Sequence, residues 1–176
     1  MGRLRKPSNK PDVLSCLEFE KREDMSAFTA MILDGAAVVQ LLGANKCKTF
    51  ADFYNSKFKP YIDHILRNTS RVSIVFDRYI DGCLKNDTRE KRGGHRNNIH
   101  IRANLSTVIP KNFKDFLNDA DNKKQLFNIL ARQLIQECYA HKEIVCTTKV
   151  RIVRSNNSLD VSNLSPTWHE EADGRL

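Results

Sequence analysis

Four carboxylates and one basic run are the parts of this sequence whose types and spacing suit chemistry. Asp34 follows the apolar run 28–33, and Asp77 follows RVSIVF at 71–76. Glu171 and Asp173 stand near the carboxyl terminus with Glu170 beside them. Hard cations such as Mg²⁺ and Mn²⁺ prefer carboxylate oxygens and water as ligands. Held by a group of carboxylates, they activate water and neutralise the charge that develops on a phosphodiester under attack. The stretch KNDTREKRGGHRNNIHIR at 85–102 supplies the complementary charge. Within it, Lys85, Arg89, Lys91, Arg92, Arg96 and Arg102 suit a grip on the phosphate backbone of DNA or RNA.

Each of these features also has a plainer reading. An aspartate before a helix serves as an N-cap, a role Asp34 can combine with metal ligation. Asp77, in D-R-Y, suits a turn. Carboxylates near a chain end are commonly just solvated, and a basic stretch can be an ordinary exposed loop. His64, His95, His100, His141 and His169 show no metal-ligand spacing and read as surface or packing residues. Cys83 has no histidine arrangement around it that would make it a nucleophile.

For the carboxylates to meet, the elements that carry them must end in one place. Residues 28–33 read as a buried strand, ended by Asp34-Gly35 and followed by a short helix over 36–42. Residues 49–68 read as a helix, because Phe50, Phe53, Tyr54, Tyr61, Ile62, Ile65 and Leu66 recur at helical steps. Pro60 is expected to kink or divide it. Phe50, Phe53 and Tyr61 are read as core residues rather than base-stacking platforms. Residues 71–76 are the second buried strand, rich in β-branched side chains. Helices are expected over 112–117 and 122–139, the latter with Leu126, Phe127, Leu130, Leu134 and Cys138 on one face. Residues 143–148 and 150–153 read as strands of a hairpin, and Pro166 with the carboxylates after it resembles the first turn of a helix.

This order predicts an α/β fold, a three-layer sandwich around a mostly parallel sheet. Ligands of such sheets sit outside the carboxyl ends of the strands. The strands before Asp34 and Asp77 are expected side by side and parallel, with the two carboxylates about 4–8 Å apart around a shared ion. The domain is expected to span 27–176, with 1–26 a loosely ordered polar arm and 78–110 a basic insertion projecting over the cleft.

Composition supports a nucleic-acid partner and excludes several alternatives. The 176 residues carry 29 Lys and Arg against 21 Asp and Glu, a formal charge of +8. Hydrophobic residues make up 40%, enough to build a core. The five cysteines are scattered, odd in number and without a C-x-x-C pair, which argues against a disulfide framework or a structural zinc site. Reduced thiols, a basic N-terminus with no apolar run behind it, and no apolar stretch long enough to span a bilayer predict a soluble protein of nucleus or cytoplasm.

Three segments carry a family resemblance. ILDGAAVVQ resembles the N-terminal strand and metal-binding aspartate of PIN-like, flap-endonuclease-type nucleases. RVSIVFDRYIDGCLKNDTREKR resembles their second strand, a V-F-D motif and a basic gateway helix, and Glu171-Ala172-Asp173 resembles the start of their E-A-E helix. The chain is also similar to a group of uncharacterised, often multi-copy animal proteins, in which HEEAD is followed by a T-V-D-T-D-V strand resembling the nuclease D-x-D. That strand is missing here, Gly174 stands where threonine is usual, and Thr167-Trp168 replaces a cysteine-containing pair. The resemblance implies a PIN-like fold incomplete at its carboxyl end. It also implies a Mg²⁺ or Mn²⁺ site at Asp34, Asp77, Glu171 and Asp173, with Asp34 and Asp77 catalytic. Impaired cleavage follows from the missing carboxylates, and a non-catalytic nucleic-acid-binding relic is the alternative.

Overall fold

The structure, a computed structural model, describes residues 29–77, 101–149, 152–156 and 160–164. The expected N-terminal arm, most of the basic segment and the Pro166 turn lie outside the described residues. Within them, four strands form one sheet: β1 (Ala30–Asp34), β2 (Arg71–Val75), β3 (Glu143–Lys149) and β4 (Ile152–Ser155), in the order β1-β2-β3-β4. β1, β2 and β3 run parallel, and β4 turns back antiparallel to β3 across a bulge at Thr147/Lys149. The expected pairing of the first two strands is therefore present, with Met31 beside Val72 and Asp34 beside Val75.

Local chemistry sets the element boundaries. Helix α1 (Gly35–Leu42) starts at Asp34, whose side chain accepts from the Ala36 and Ala37 amides. It stops at Gly43, where φ of 53° lies in the left-handed region that an L side chain resists. The next helix starts with a capping box: Asp52 N donates to Thr49 Oγ1 at 3.1 Å, and Thr49 N donates to Asp52 Oδ2 at 3.0 Å. The backbone hydrogen bonds hold the Asp52 carboxyl below its ordinary pKa.

Pro60 was expected to kink or divide the helix that follows, and the structure shows how. α2 (Phe50–Phe53) passes through a π-helical turn, Tyr54–Phe58, into α3 (Lys59–Asn68) without a break. Proline has no N–H and its ring crowds the carbonyl of residue i−4. The turn just before it widens, so that the Lys59 amide reaches back to the Tyr54 carbonyl, an i−5 bond.

The remaining helices are α4 (Phe113–Phe116) and α5 (Ala120–Gln136), capped by Asn112 and Asp119. α5 ends earlier than its apolar period suggests. Leu126, Phe127, Leu130 and Leu134 are buried as expected, but Cys138 lies beyond the last turn and is exposed. Glu137, with extended backbone (ψ 137°), ends the helix before the period reaches Cys138.

All these helices pack on one face of the sheet. Val72, Ile74 and Phe76 share a core with Ile144 and Cys146, the side chains of α1, the α2–α3 run and α5, and the partly buried Leu33. Residues of the other parity vary: Ala30 and Ile32 are exposed, Arg71, Ser73 and Glu143 are half-buried, and Val75, Val145 and Thr147 are buried. Strand order explains the shared face of the helices. Two crossovers that step the same way across a sheet with the same hand lay their helices on the same side. The described residues thus show a mixed α/β fold with a mostly parallel sheet and one helical layer. Among them, no helix is long and apolar enough to cross a membrane.

The tightest contact in this core joins the ends of β1 and β2. A Cβ added to Gly35 would lie 2.3 Å from Cδ1 of Phe76, and the Phe76 ring stacks on Phe127 at 4.7 Å. Alanine for glycine in a helix ordinarily stabilises by about 0.4–1 kcal/mol. Here the sign is expected to reverse. Gly35→Ala should cost about 1–3 kcal/mol through overpacking in urea denaturation, and Phe76→Leu in the same chain should recover part of that loss.

Candidate functional site

The carboxyl edge of the parallel strands holds the two expected carboxylates that fall among the described residues. Asp34 is the last residue of β1, paired with Val75, and Asp77 stands two residues beyond Val75. With strands about 4.8 Å apart and a rise of about 3.3 Å per residue, an extended continuation sets the two α-carbons about 8 Å apart. The Gly35–Phe76 contact fixes this neighbourhood, because Gly35 follows Asp34 and Phe76 precedes Asp77. β3 braces the same corner: the Phe76 amide donates to Thr147 Oγ1 at 2.9 Å, beyond the last ladder pair of β2.

Asp34 already has a structural task. Its Oδ1 accepts from Ala36 N at 2.8 Å and from Ala37 N at 3.1 Å, where the helix dipole also favours a negative charge. Both bonds fall on one oxygen. Among the described residues no hydrogen bond is donated to Oδ2, which leaves a hard ligand oxygen on that side. Among the described residues, no group of three or more His, Cys, Asp or Glu is gathered as a metal cluster. Glu171 and Asp173 lie outside the described residues, as do Lys85, Arg89, Lys91, Arg92 and Arg96.

Arg102 is described, and its placement shows where the basic segment returns to the fold. Ile101 and Ala103 turn inward and are half-buried, while Arg102 between them is exposed. Asn122 Oδ1 accepts from Ile101 N at 3.1 Å, and Gln125 Oε1 accepts from Ala103 N at 2.9 Å. Both side chains belong to the first two turns of α5. That helix delivers the chain to the amino end of β3, so its own N-terminus lies towards the carboxyl edge, as the Phe127–Phe76 stack shows directly. Ile101 and Ala103 therefore lie towards the edge that carries Asp34 and Asp77.

The Asn122 anchor was not singled out in the sequence, although it is wholly buried. Its Nδ2 also donates to the Phe116 carbonyl at 3.3 Å, joining α4, α5 and the returning segment. A polar residue on the apolar side of an otherwise regular helix is the signal that could have found it.

A second polar cluster was also missed, and it sits away from the carboxylates. On the connection from α5 into β3, Glu137 accepts from Tyr54 Oη at 3.0 Å and pairs with Lys59 at 3.3 Å. Tyr139 accepts from Lys59 Nζ at 3.1 Å and donates to Asp63 at 2.7 Å. Burial, reinforced by the bond to Asp63, pushes the Tyr139 phenol up to about 12. Burial and the Glu137 carboxylate raise that of Tyr54 as well. For Lys59, burial works to lower the pKa, but Tyr139, Asp63 and Glu137 outweigh it and hold the ammonium above its ordinary value. With its donors and acceptors matched to one another, this cluster fastens the α2–α3 run to the α5–β3 connection.

No family model matches this chain, and comparison with curated proteins and with solved structures likewise finds no match.

The Asn122 anchor is open to direct test. Asn122→Ala leaves the Ile101 amide and the Phe116 carbonyl without their buried partner, and is expected to cost about 1–3 kcal/mol. Hydrogen exchange should report the loss first at the Ile101 and Ala103 amides, with β2 still protected.

Proposed function

We propose that this chain is a divalent-metal-dependent phosphodiesterase-like domain acting on nucleic acid, of the PIN-like, flap-endonuclease type, with a three-layer sandwich as its complete form. The observation that carries this reading is the shared carboxyl edge. Two parallel neighbours, β1 ending at Asp34 and β2 ending two residues before Asp77, meet where Phe76 packs against Gly35. The donor set suits Mg²⁺ or Mn²⁺, which settle for one or two protein carboxylates when water and substrate phosphate supply the remaining oxygens. Glu171 and Asp173 would be the further ligands. Such a metal, when bound, lowers the pKa of water and offsets charge on the phosphate. The protein's part is to hold Asp34 rigid through its cap bonds and to set Asp77 beside it. Lys85, Arg89, Lys91, Arg92, Arg96 and Arg102 would seat the phosphate backbone from a segment whose two ends are fixed at that edge.

One observation favours a second reading, a nucleic-acid-binding module without cleavage. The two hydrogen bonds to Asp34 Oδ1 give the carboxylate a sufficient structural reason to be there. A single substitution separates the roles, because asparagine caps a helix about as well as aspartate but is a poor ligand for a hard cation. Asp34→Asn should keep stability to within about 1 kcal/mol, the part due to charge at the helix dipole. In the enzyme reading it should abolish Mn²⁺ binding, followed calorimetrically, together with any Mn²⁺-dependent cleavage of branched, single-stranded or duplex DNA and RNA. A wild-type chain that binds nucleic acid, takes up no Mn²⁺ and cleaves nothing would leave the binding module standing. Replacing Arg89, Lys91 and Arg92 together by glutamine should weaken binding to every sequence and flatten its salt dependence in either reading. An unchanged affinity and salt slope would remove nucleic acid as the partner.

A further inference from the structure

The two aspartates of the carboxyl edge are held by different means. Asp34 is fixed through its own side chain, whose Oδ1 accepts the Ala36 and Ala37 amides. Asp77 stands two residues past Val75, the last residue of β2. Among the described residues, the ladder between β2 and β3 ends sooner, at the pair Ile74 and Cys146. At the next residue of β3 a bulge begins in its pairing with β4, between Thr147 and Lys149. A bulged strand bends, and its regular pairing is disrupted locally. Beyond the last ladder pair, the Phe76 amide meets a side chain of β3: it donates to Thr147 Oγ1 at 2.9 Å.

Phe76 is thus gripped at two points. Its ring fills the space beside Gly35 and stacks on Phe127. Its amide is tied to Thr147, and both residues are buried. Ring packing sets where a side chain lies but leaves the peptide plane to turn. The hydrogen bond fixes the plane of the peptide between Val75 and Phe76. With ring and peptide both held, the Phe76 α-carbon keeps one orientation, and so does the bond that leaves it towards Asp77. Threonine suits the task, because a β-branched side chain is stiff about χ1 and gives its oxygen a defined direction.

We infer that Thr147 is a positioning residue for Asp77, acting through the Phe76 peptide to aim the carboxylate at a divalent cation, a role that rests on the metal site proposed above. β3 ends on Thr147, Thr148 and Lys149, so the third parallel strand brings no carboxylate of its own to the edge. It contributes by holding the ligand of its neighbour. A ligand fixed in advance loses less freedom when the ion arrives. Removing a partner one step behind the ligands typically lowers metal affinity by about tenfold to a hundredfold.

Two substitutions in the full 176-residue chain separate the hydrogen bond from the packing. Thr147→Val keeps the branched shape and removes the acceptor, whereas Thr147→Ser keeps the acceptor and removes the methyl group. Tyr139→Phe, in the cluster away from the carboxylates, is the control that loses a hydrogen bond elsewhere. Circular dichroism establishes that each variant is folded. Mn²⁺ affinity, followed calorimetrically, should fall about tenfold or more in Thr147→Val. It should return towards the wild-type value in Thr147→Ser and stay unchanged in Tyr139→Phe. Backbone relaxation of the metal-free chain reads the positioning itself: the order parameter at the Asp77 amide should drop in Thr147→Val, with 72–74 unchanged. The wild-type chain gives a reading without any substitution, since its Phe76 amide should exchange as slowly as those of β2. An Asp77 order parameter unmoved by Thr147→Val, a serine variant as impaired as the valine one, or fast exchange at Phe76 in the wild type overturns the proposal. Wild-type uptake of Mn²⁺ with undiminished affinity in Thr147→Val defeats the positioning role alone. A wild-type chain that takes up no Mn²⁺ defeats the metal site, and the role of Thr147 towards it falls with it.

Discussion

The Phe76 ring is the contact on which the arrangement of this molecule depends. It follows the last residue of β2, fills the space that a side chain at Gly35 would need, and stacks on Phe127 of α5. One buried aromatic thus ties the start of α1, the end of β2 and the first half of α5 at a single corner. Aromatic pairs add about 0.5–1.5 kcal/mol beyond the area they bury. Here the consequence is geometric as well as energetic. The residues on either side of the contact, Asp34 and Asp77, acquire a fixed relation without touching each other. A glycine at the first position of a helix is a poor helix former. At position 35 it is the condition for the ring to enter.

The same corner explains why Asp34 supports two readings. A parallel strand that runs into a helix on the next residue must leave the first amides of that helix without intrahelical partners. A carboxylate at the junction satisfies two of them, and its charge is favoured by the helix dipole. That is also the position at which a strand end presents a carboxylate to a ligand. Cap and ligand are therefore not rival geometries. Oδ1 serves the helix, and Oδ2 remains, held in direction by the bonds to its twin. Rigidity of this kind is what a hard cation asks of its ligands, since loose carboxylates lose more conformational freedom on binding.

Much of this fold was legible because its elements obey their periods. The β-branched run at 71–75 and the apolar run ending at Asp34 are strands because four core-face residues, Met31, Leu33, Val72 and Ile74, alternate with an outer set. The helical steps from Phe50 to Leu66 survive Pro60 because the π-turn absorbs the missing amide without turning the apolar side away from the core. What escaped the sequence is of another kind. Cys138 continues the spacing of Leu134 but not its structure, since spacing cannot show where a helix stops. Asn122 shares the face of Leu126, Leu130 and Leu134, but its partners, Ile101 and Phe116, come from other segments that the helical period does not reveal. The Lys59–Tyr139 cluster joins residues 80 positions apart, and no local pattern announces it. Of the candidate site, the strand-end aspartates were visible as types at boundaries. Their shared edge was legible too, since the two strands were expected side by side and parallel, but the ring and the glycine that pack there, 41 residues apart in sequence, were not.

Among the described residues the helices lie on one face of the sheet, and this placement bears on the anchors at Ile101 and Ala103. Helices on one face leave the carboxyl edge walled on that side by α1 and α5 and bounded by Asp34 and Asp77. At Ile101 and Ala103 the backbone is fastened by neutral amide side chains. That choice matters for a segment dense in cations. A carboxylate anchor would neutralise the charge it holds and compete with a phosphate for it, and its strength would vary with salt. Buried amide bonds do neither. Arg102, exposed between two inward-facing neighbours, is consequently held in place by its backbone. In the proposed function, a fixed backbone there would lower the ordering cost of binding a phosphate backbone.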